Sequence, residues 1–208
     1  MEEWNKNLLM KATLIFFAVT TLIKLTSAGV TGVIHKPNYL LKSIEAKDYI
    51  QKNKMDTTIC FLIDMKVHCG KKRFAVWDLK GDSIRREIIV SHGSGGAKGL
   101  PISSADAPVF SNIPGSYASS LGKYRIGKRS YSNWGINIHY KLHGLESTNN
   151  NAYRRIIVLH SFVGVSSSEI YPEEAPFSLG CPMVSNQDMI YLDNLLKSKK
   201  NILLWIYY

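Results

Sequence analysis

Three consecutive runs between residues 61 and 90 constrain the fold of this chain more than any other segment. Phe61, Ile63, Met65 and Val67 alternate with Leu62, Asp64 and Lys66, the period-2 pattern of a strand with one buried face. Gly70-Lys71-Lys72 reads as a turn, Phe74 to Leu79 as a second strand, Gly81-Asp82 as another turn and Ile84 to Val90 as a third strand. Strands joined by turns this tight pair with their sequence neighbours, so the spacing predicts an antiparallel meander. Residues 91–120, rich in Gly, Ser, Ala and Pro, read as a loop. Tyr124 to Ile126, Ile136 to Leu142 and a closing Ile202 to Tyr208 are further strand candidates. The run Ile156-Ile157-Val158-Leu159 is continuously apolar, as in a central strand buried on both faces, and it delivers His160 to a strand end.

Two helices are predicted. Tyr39 to Lys54 places Leu40, Leu41, Ile44, Ala46, Tyr49 and Ile50 at imperfect amphipathic spacing. In Ser185-Asn186-Gln187-Asp188, Ser185 can cap a helix and Asp188 takes the place of the reciprocal acid. Met189, Leu192, Leu195 and Leu196 then form a packing stripe. Strands outnumber helices and do not alternate with them regularly. The expectation is therefore a mainly β (α+β) fold with a few short helices, not a parallel α/β sheet.

The N-terminus reads as an export signal. Lys6 and Lys11 precede the apolar run Ala12 to Ile23, and Thr26-Ser27-Ala28 offers small residues for cleavage. That run is shorter than the roughly 20 residues of a bilayer span, although an uncleaved anchor is the alternative. Residues 29–208 then form one domain, located in the periplasm or cell envelope. Twenty-six Lys+Arg against sixteen Asp+Glu give a formal charge of +10, which draws an exported protein toward anionic envelope polymers. The basic residues are dispersed, and no helix-turn-helix, zinc-finger or aromatic RNA-binding signature accompanies them. A solvated basic surface and no nucleic-acid partner are therefore expected.

Cysteine chemistry supplies the functional reading. The cysteines are Cys60, Cys69 and Cys181, an odd number that leaves at least one thiol unpaired. On a single extended strand Cys60 and Cys69 would stand roughly 30 Å apart. A disulfide needs Cα atoms within about 7 Å, so two free, partly buried thiols are expected there. Cys181 differs because Gly180 precedes it and His160 lies upstream at the end of an apolar run. A thiol attacks acyl carbon as the thiolate, and an imidazole can take its proton and return it to a leaving amine. The N–H groups of Gly180 and Cys181 are candidates to stabilise the oxyanion. An inert buried cysteine is the alternative.

The flanking residues resemble the YkuD-type L,D-transpeptidases, in particular the murein L,D-transpeptidase catalytic-domain branch. The resemblance rests on Ser91-His92-Gly93-Ser94-Gly95, Phe110-Ser111-Asn112, Ser119 to Gly127, Leu142 to Glu146, Asn151 to Ser161 and Ser178-Leu179-Gly180-Cys181-Pro182, in that order, within residues 58–190. Two positions depart from the pattern. Leu179 stands where many relatives have a second His, and Met183 where many have Asn or Arg. The resemblance implies a mixed β-sandwich or barrel-like catalytic domain over 58–208, behind a signal at 1–28 and a helical segment at 29–57. It implies Cys181 as nucleophile, His160 as base and acid, and the Ser161 carbonyl as the group orienting the imidazole, with no demand on the Ser161 side chain. Tyr124, Arg155 and His92 become candidate substrate contacts, Arg155 through bidentate grip of a stem-peptide carboxylate. His92 also reads as a structural His at a strand end, His139 and His143 as surface or turn residues, and Arg155 as a structural ion pair or a solvated side chain. The implied partner of a monomeric enzyme is the peptidoglycan stem peptide, with no cofactor and no metal. Membrane contact is expected only if the signal stays uncleaved. Transfer to an amine gives a 3→3 cross-link, and transfer to water gives an L,D-carboxypeptidase. An inactive wall-binding protein is a separate alternative. A papain-like amidase is disfavoured because no His follows Cys181.

Overall fold

The computed structural model describes residues 37–208. The expected signal and its cleavage point lie outside the described residues. The elements are α1 (Tyr39–Lys52), β1 (Ile59–Asp64), β2 (Lys72–Asp78), β3 (Ser83–Ile89), β4 (Gly122–Tyr131), β5 (Ile138–Gly144), β6 (Val158–Ser161), β7 (Met183–Val184), α2 (Asn186–Leu196) and β8 (Leu203–Tyr207). They build one eight-stranded sheet in the order β3-β2-β1-β8-β4-β5-β6-β7. The meander β1-β2-β3 is antiparallel as the turns predict. β8 inserts between β1 and β4, parallel to the first and antiparallel to the second.

The two ends of the sheet nearly meet. Beyond β3, the Ser91 N–H donates to the Met183 carbonyl of β7 at 2.9 Å, and the Ser178 N–H donates to the His92 carbonyl at 2.8 Å. The sheet is thus rolled toward a barrel, which leaves few unpaired edge groups. Its interior holds Phe61, Ile63, Phe74, Val76, Leu142, Leu159 and Leu204, together with Met189, Leu192 and Leu196 of α2. Alternation along β8 sends Leu204 and Ile206 into this core, and Leu203 and Trp205 to the opposite face.

That opposite face corrects the one-sided reading of the first strand. Every residue of β1 is buried, because Cys60 and Leu62 pack beneath Ala46 and Ile50 of α1. α1 is capped by Asn38, whose side chain accepts the Leu41 N–H at 3.2 Å, and it leaves Leu40, Leu41 and Ile44 exposed. α2 begins as the capping pattern predicts: the Ser185 hydroxyl accepts the Asp188 N–H at 3.0 Å. The apolar run at 156–159 is shorter as a strand than its composition suggests. β6 starts only at Val158, and Ile156 sits in a turn at φ 59°, 65% exposed. A β-branched residue rarely adopts that conformation.

Candidate active site

β6 and the segment entering β7 run parallel, with His160 opposite Met183. Side chains two residues apart on a strand share a face, so Val158 and His160 lie beside Cys181 and Met183. All four line a cleft of about 600 Å³, rimmed by Tyr131, Trp134, Ile156, Phe177 and Leu179. Sequence reasoning brings Cys181 and His160 together, and the structure puts both on this one surface. They are diagonal neighbours across two adjacent backbone segments.

The imidazole is held from behind. His160 Nδ1 lies 3.0 Å from the Ser161 carbonyl. A carbonyl only accepts, so Nδ1 carries the proton and Nε2 is left as the basic nitrogen. Burial holds the His160 pKa below the usual imidazole value, with the Ser161 hydrogen bond opposing and His139 adding to the shift. Burial likewise pushes the Cys181 thiol up, while the Val158 N–H and then the charges of Arg155 and Lys141 pull it back. The Val158 N–H donates to Sγ at 3.5 Å, and Sγ donates to the Ile156 carbonyl at 3.8 Å. The resting pair is therefore a neutral thiol and a neutral imidazole, which is the protonation state in which a general base has work to do.

The turn before the cysteine explains its sequence. The Ser178 hydroxyl donates to the Cys181 carbonyl at 2.6 Å and accepts the Gly180 N–H at 3.0 Å. This corrects the expectation for Gly180: its N–H is committed to Ser178, which leaves the Cys181 N–H as the backbone candidate for an oxyanion. Gly180 is required for another reason. Its φ is 116°, and a Cβ there would stand 2.9 Å from the Ala118 carbonyl oxygen. The Ser119 hydroxyl fastens the same turn from outside, donating to the Gly180 carbonyl at 3.1 Å and accepting the Gly93 N–H at 2.9 Å. The Ser161 side chain also has a role that the resemblance did not assign. Its Oγ accepts the Ile136 N–H at 3.0 Å and so anchors the turn that carries Trp134 to the cleft rim.

Three expected substrate contacts are placed differently. Tyr124 has no exposed surface, and its hydroxyl donates to the Ser120 carbonyl at 2.7 Å; it is a core residue. His92 is also fully buried, with Nδ1 2.9 Å from Nη2 of the fully buried Arg73. Arg73 in turn donates to the carbonyls of Val90 and Val67. Burial, reinforced by the Arg73 charge, lowers the His92 pKa to about 3, so it is neutral and structural. Arg155 spends its donors on residues 111–120 and does not reach out to a carboxylate.

His139, read from sequence as a surface or turn residue, lies directly opposite His160 on β5 and lines the cleft. Only the β5–β6 pairing reveals this. Ser178 also escaped the sequence reading as a site residue, although its spacing from Gly180 and Cys181 was visible as a motif. Cys60 and Cys69 are free and more deeply buried than expected, and burial raises the Cys60 thiol to about 12. A second groove, between β4 and the α2–β8 connection, is lined by Arg125, Lys128, Lys197 and Lys200. Its lining holds no Cys, Ser or Thr. Among the described residues no group of three His, Cys, Asp or Glu side chains is arranged to hold a metal ion.

No curated protein matches the chain. Among solved structures it is similar to Bd1075 of Bdellovibrio bacteriovorus, at 14% identity over 74% of this chain and 49% of that one, with a TM-score of 0.45. It is similar to an L,D-transpeptidase of Xylanimonas cellulosilytica, at 17% identity over 73% and 61%, with a TM-score of 0.40. A third is the helical cell shape determining protein Pgp2 of Campylobacter jejuni, at 12% identity over 82% and 56%, with a TM-score of 0.42. The chain thus spans 49% to 61% of the length of these structures. The family model of the L,D-transpeptidase catalytic domain matches residues 34–207. With that match extending from before α1 through the last residue of β8, the chain belongs to the L,D-transpeptidase catalytic domain family.

Proposed function

We propose that this protein is an exported cysteine acyltransferase that acts on peptidoglycan stem peptides and forms 3→3 cross-links. The observation that carries this reading is the shared cleft of Cys181 and His160, with Nδ1 committed to the Ser161 carbonyl and Nε2 left as base. His160 Nε2 takes the Sγ proton as sulfur attacks the carbonyl of the third stem residue, and a C–S bond forms. The tetrahedral oxyanion collapses, the amide C–N bond breaks, and His160 returns the proton to the departing D-alanine amine. An acceptor amine then attacks the thioester and loses its proton to His160, and Sγ leaves as thiolate. Water in place of that amine yields a tripeptide, the L,D-carboxypeptidase outcome from the same acyl-enzyme.

The test is the full chain incubated with disaccharide-tetrapeptides and analysed by mass spectrometry. Release of D-alanine with 3→3 dimers is expected. Cys181→Ala should abolish release, and His160→Ala should slow it by about 10²–10⁴-fold. Binding without any D-alanine release would instead favour an inactive wall-binding protein.

A further inference from the structure

Arg155 is a cation surrounded by neutral oxygen. Its guanidinium donates to the carbonyls of Ser111 at 2.7 Å and Ala118 at 2.6 Å, and to the hydroxyls of Ser120 at 2.6 Å and Ser116 at 3.3 Å. Arg86 and Arg129, by comparison, each meet an aspartate. Among the described residues Arg155 has no carboxylate partner. Four hydrogen bonds occupy the donors of Nη1 and Nη2 but leave its positive charge uncompensated in a half-buried position, where charge is costly. Its Nη2 stands 3.2 Å from the point a Gly180 Cβ would occupy, one residue before the thiol. The nearest anion this arrangement can serve is the one the reaction creates.

We propose that Arg155 is a positioning residue that also acts electrostatically. It fastens residues 111–120 as the wall behind the Gly180–Cys181 turn, and its unpaired charge stabilises the Cys181 thiolate. This rests on the reading of Cys181 as nucleophile. When the Sγ proton passes to His160, sulfur becomes negative and the imidazole positive, and Arg155 lowers the cost of the first of these charges. The other titratable groups on the elements around the thiol are Lys141 and His139 of β5, His160 of β6 and the buried Tyr124 of β4. Arg155 and Lys141 are the two whose charge acts on the thiol. The fully buried Tyr124 hydroxyl is itself pushed well above its usual range and stays neutral.

The experiment measures iodoacetamide alkylation of Cys181 from about pH 6 to 11, located by peptide mapping, in the full chain. Arg155→Gln should lower the rate at neutral pH about tenfold and move its inflection up by about one pH unit. Arg155→Lys keeps the charge, and the double variant Ser116→Ala, Ser120→Ala keeps the cation while loosening the clamp. Both should keep the inflection near the wild-type value, and they remain informative if Arg155→Gln fails to fold. An unmoved inflection in Arg155→Gln would overturn the proposal. So would Arg155→Lys or the serine variant shifting upward, because a purely structural role predicts that pattern. Alkylation needs no muropeptide, so a normal profile without D-alanine release would remove the proposed reaction and leave the Arg155 assignment standing.

Discussion

At the scale of single residues, the proposed nucleophile and base were legible as candidates because their chemistry demands particular residue types. Cys181 after a glycine and His160 at the end of an apolar run announce themselves. Tyr124 and Arg155 did not, because burial and loop partners depend on which segment crosses over them. Gly180 gives the sharpest residue-level prediction. In Gly180→Ala a methyl group would meet the Ala118 carbonyl at 2.9 Å in a left-handed conformation. Strain of about 1–3 kcal/mol is expected. Displacement of Sγ should cut acylation by on the order of 10²-fold, read as kcat/KM against thermal stability. A second prediction concerns pH. Burial lowers the His160 pKa, so its base form persists below the usual titration range. The acid limb of the kcat/KM profile should therefore inflect below about pH 6.5. An inflection above neutrality would remove His160 as the base.

Among secondary-structure elements, the strands of the meander and both helices were readable from period and capping. β7 was not, because two residues carry no periodicity. The start of β6 was misread because four apolar residues in a row say nothing about φ, and Ile156 sits in a turn that feeds its carbonyl to Cys181. The N-terminal cap of α2 is the element-level test. Ser185 accepts the Asp188 N–H and donates to the Asp188 carboxylate at 2.7 Å, which Arg86 also grips. Ser185→Ala should destabilise the fold by about 1 kcal/mol, measured as a lower urea midpoint at constant slope. Activity should survive, because α2 packs behind β6 and contributes nothing to the cleft lining.

Across the whole molecule, closure was the least legible property, since it depends on Cys60 lying beside Leu203 and Ser91 beside Met183. The closing segment also carries a pH liability. Buried His92 accepts from Arg73 only while neutral, with its pKa lowered to about 3. The unfolded chain binds this proton near pH 6.5 and the folded chain does not. The stabilisation is thus complete above pH 6.5 and drains away as pH falls toward 3. Its loss should reach about 2 kcal/mol at pH 5. His92→Asn should flatten the slope of urea stability between pH 6.5 and 5, and an unchanged slope would contradict this account. The insertion of β8 between β1 and β4 has a consequence in time. A chain that emerges N-terminus first can form the β1-β2-β3 meander early, yet the strand that joins it to the catalytic half follows every other strand. Until residues 203–207 are available, the two halves of the sheet can meet only where residues 91–94 pair with residues 178–183. On the proposed export route, any carrier that moves this protein through a membrane therefore handles a chain whose β1–β8 and β4–β8 pairings form only once β8 has followed.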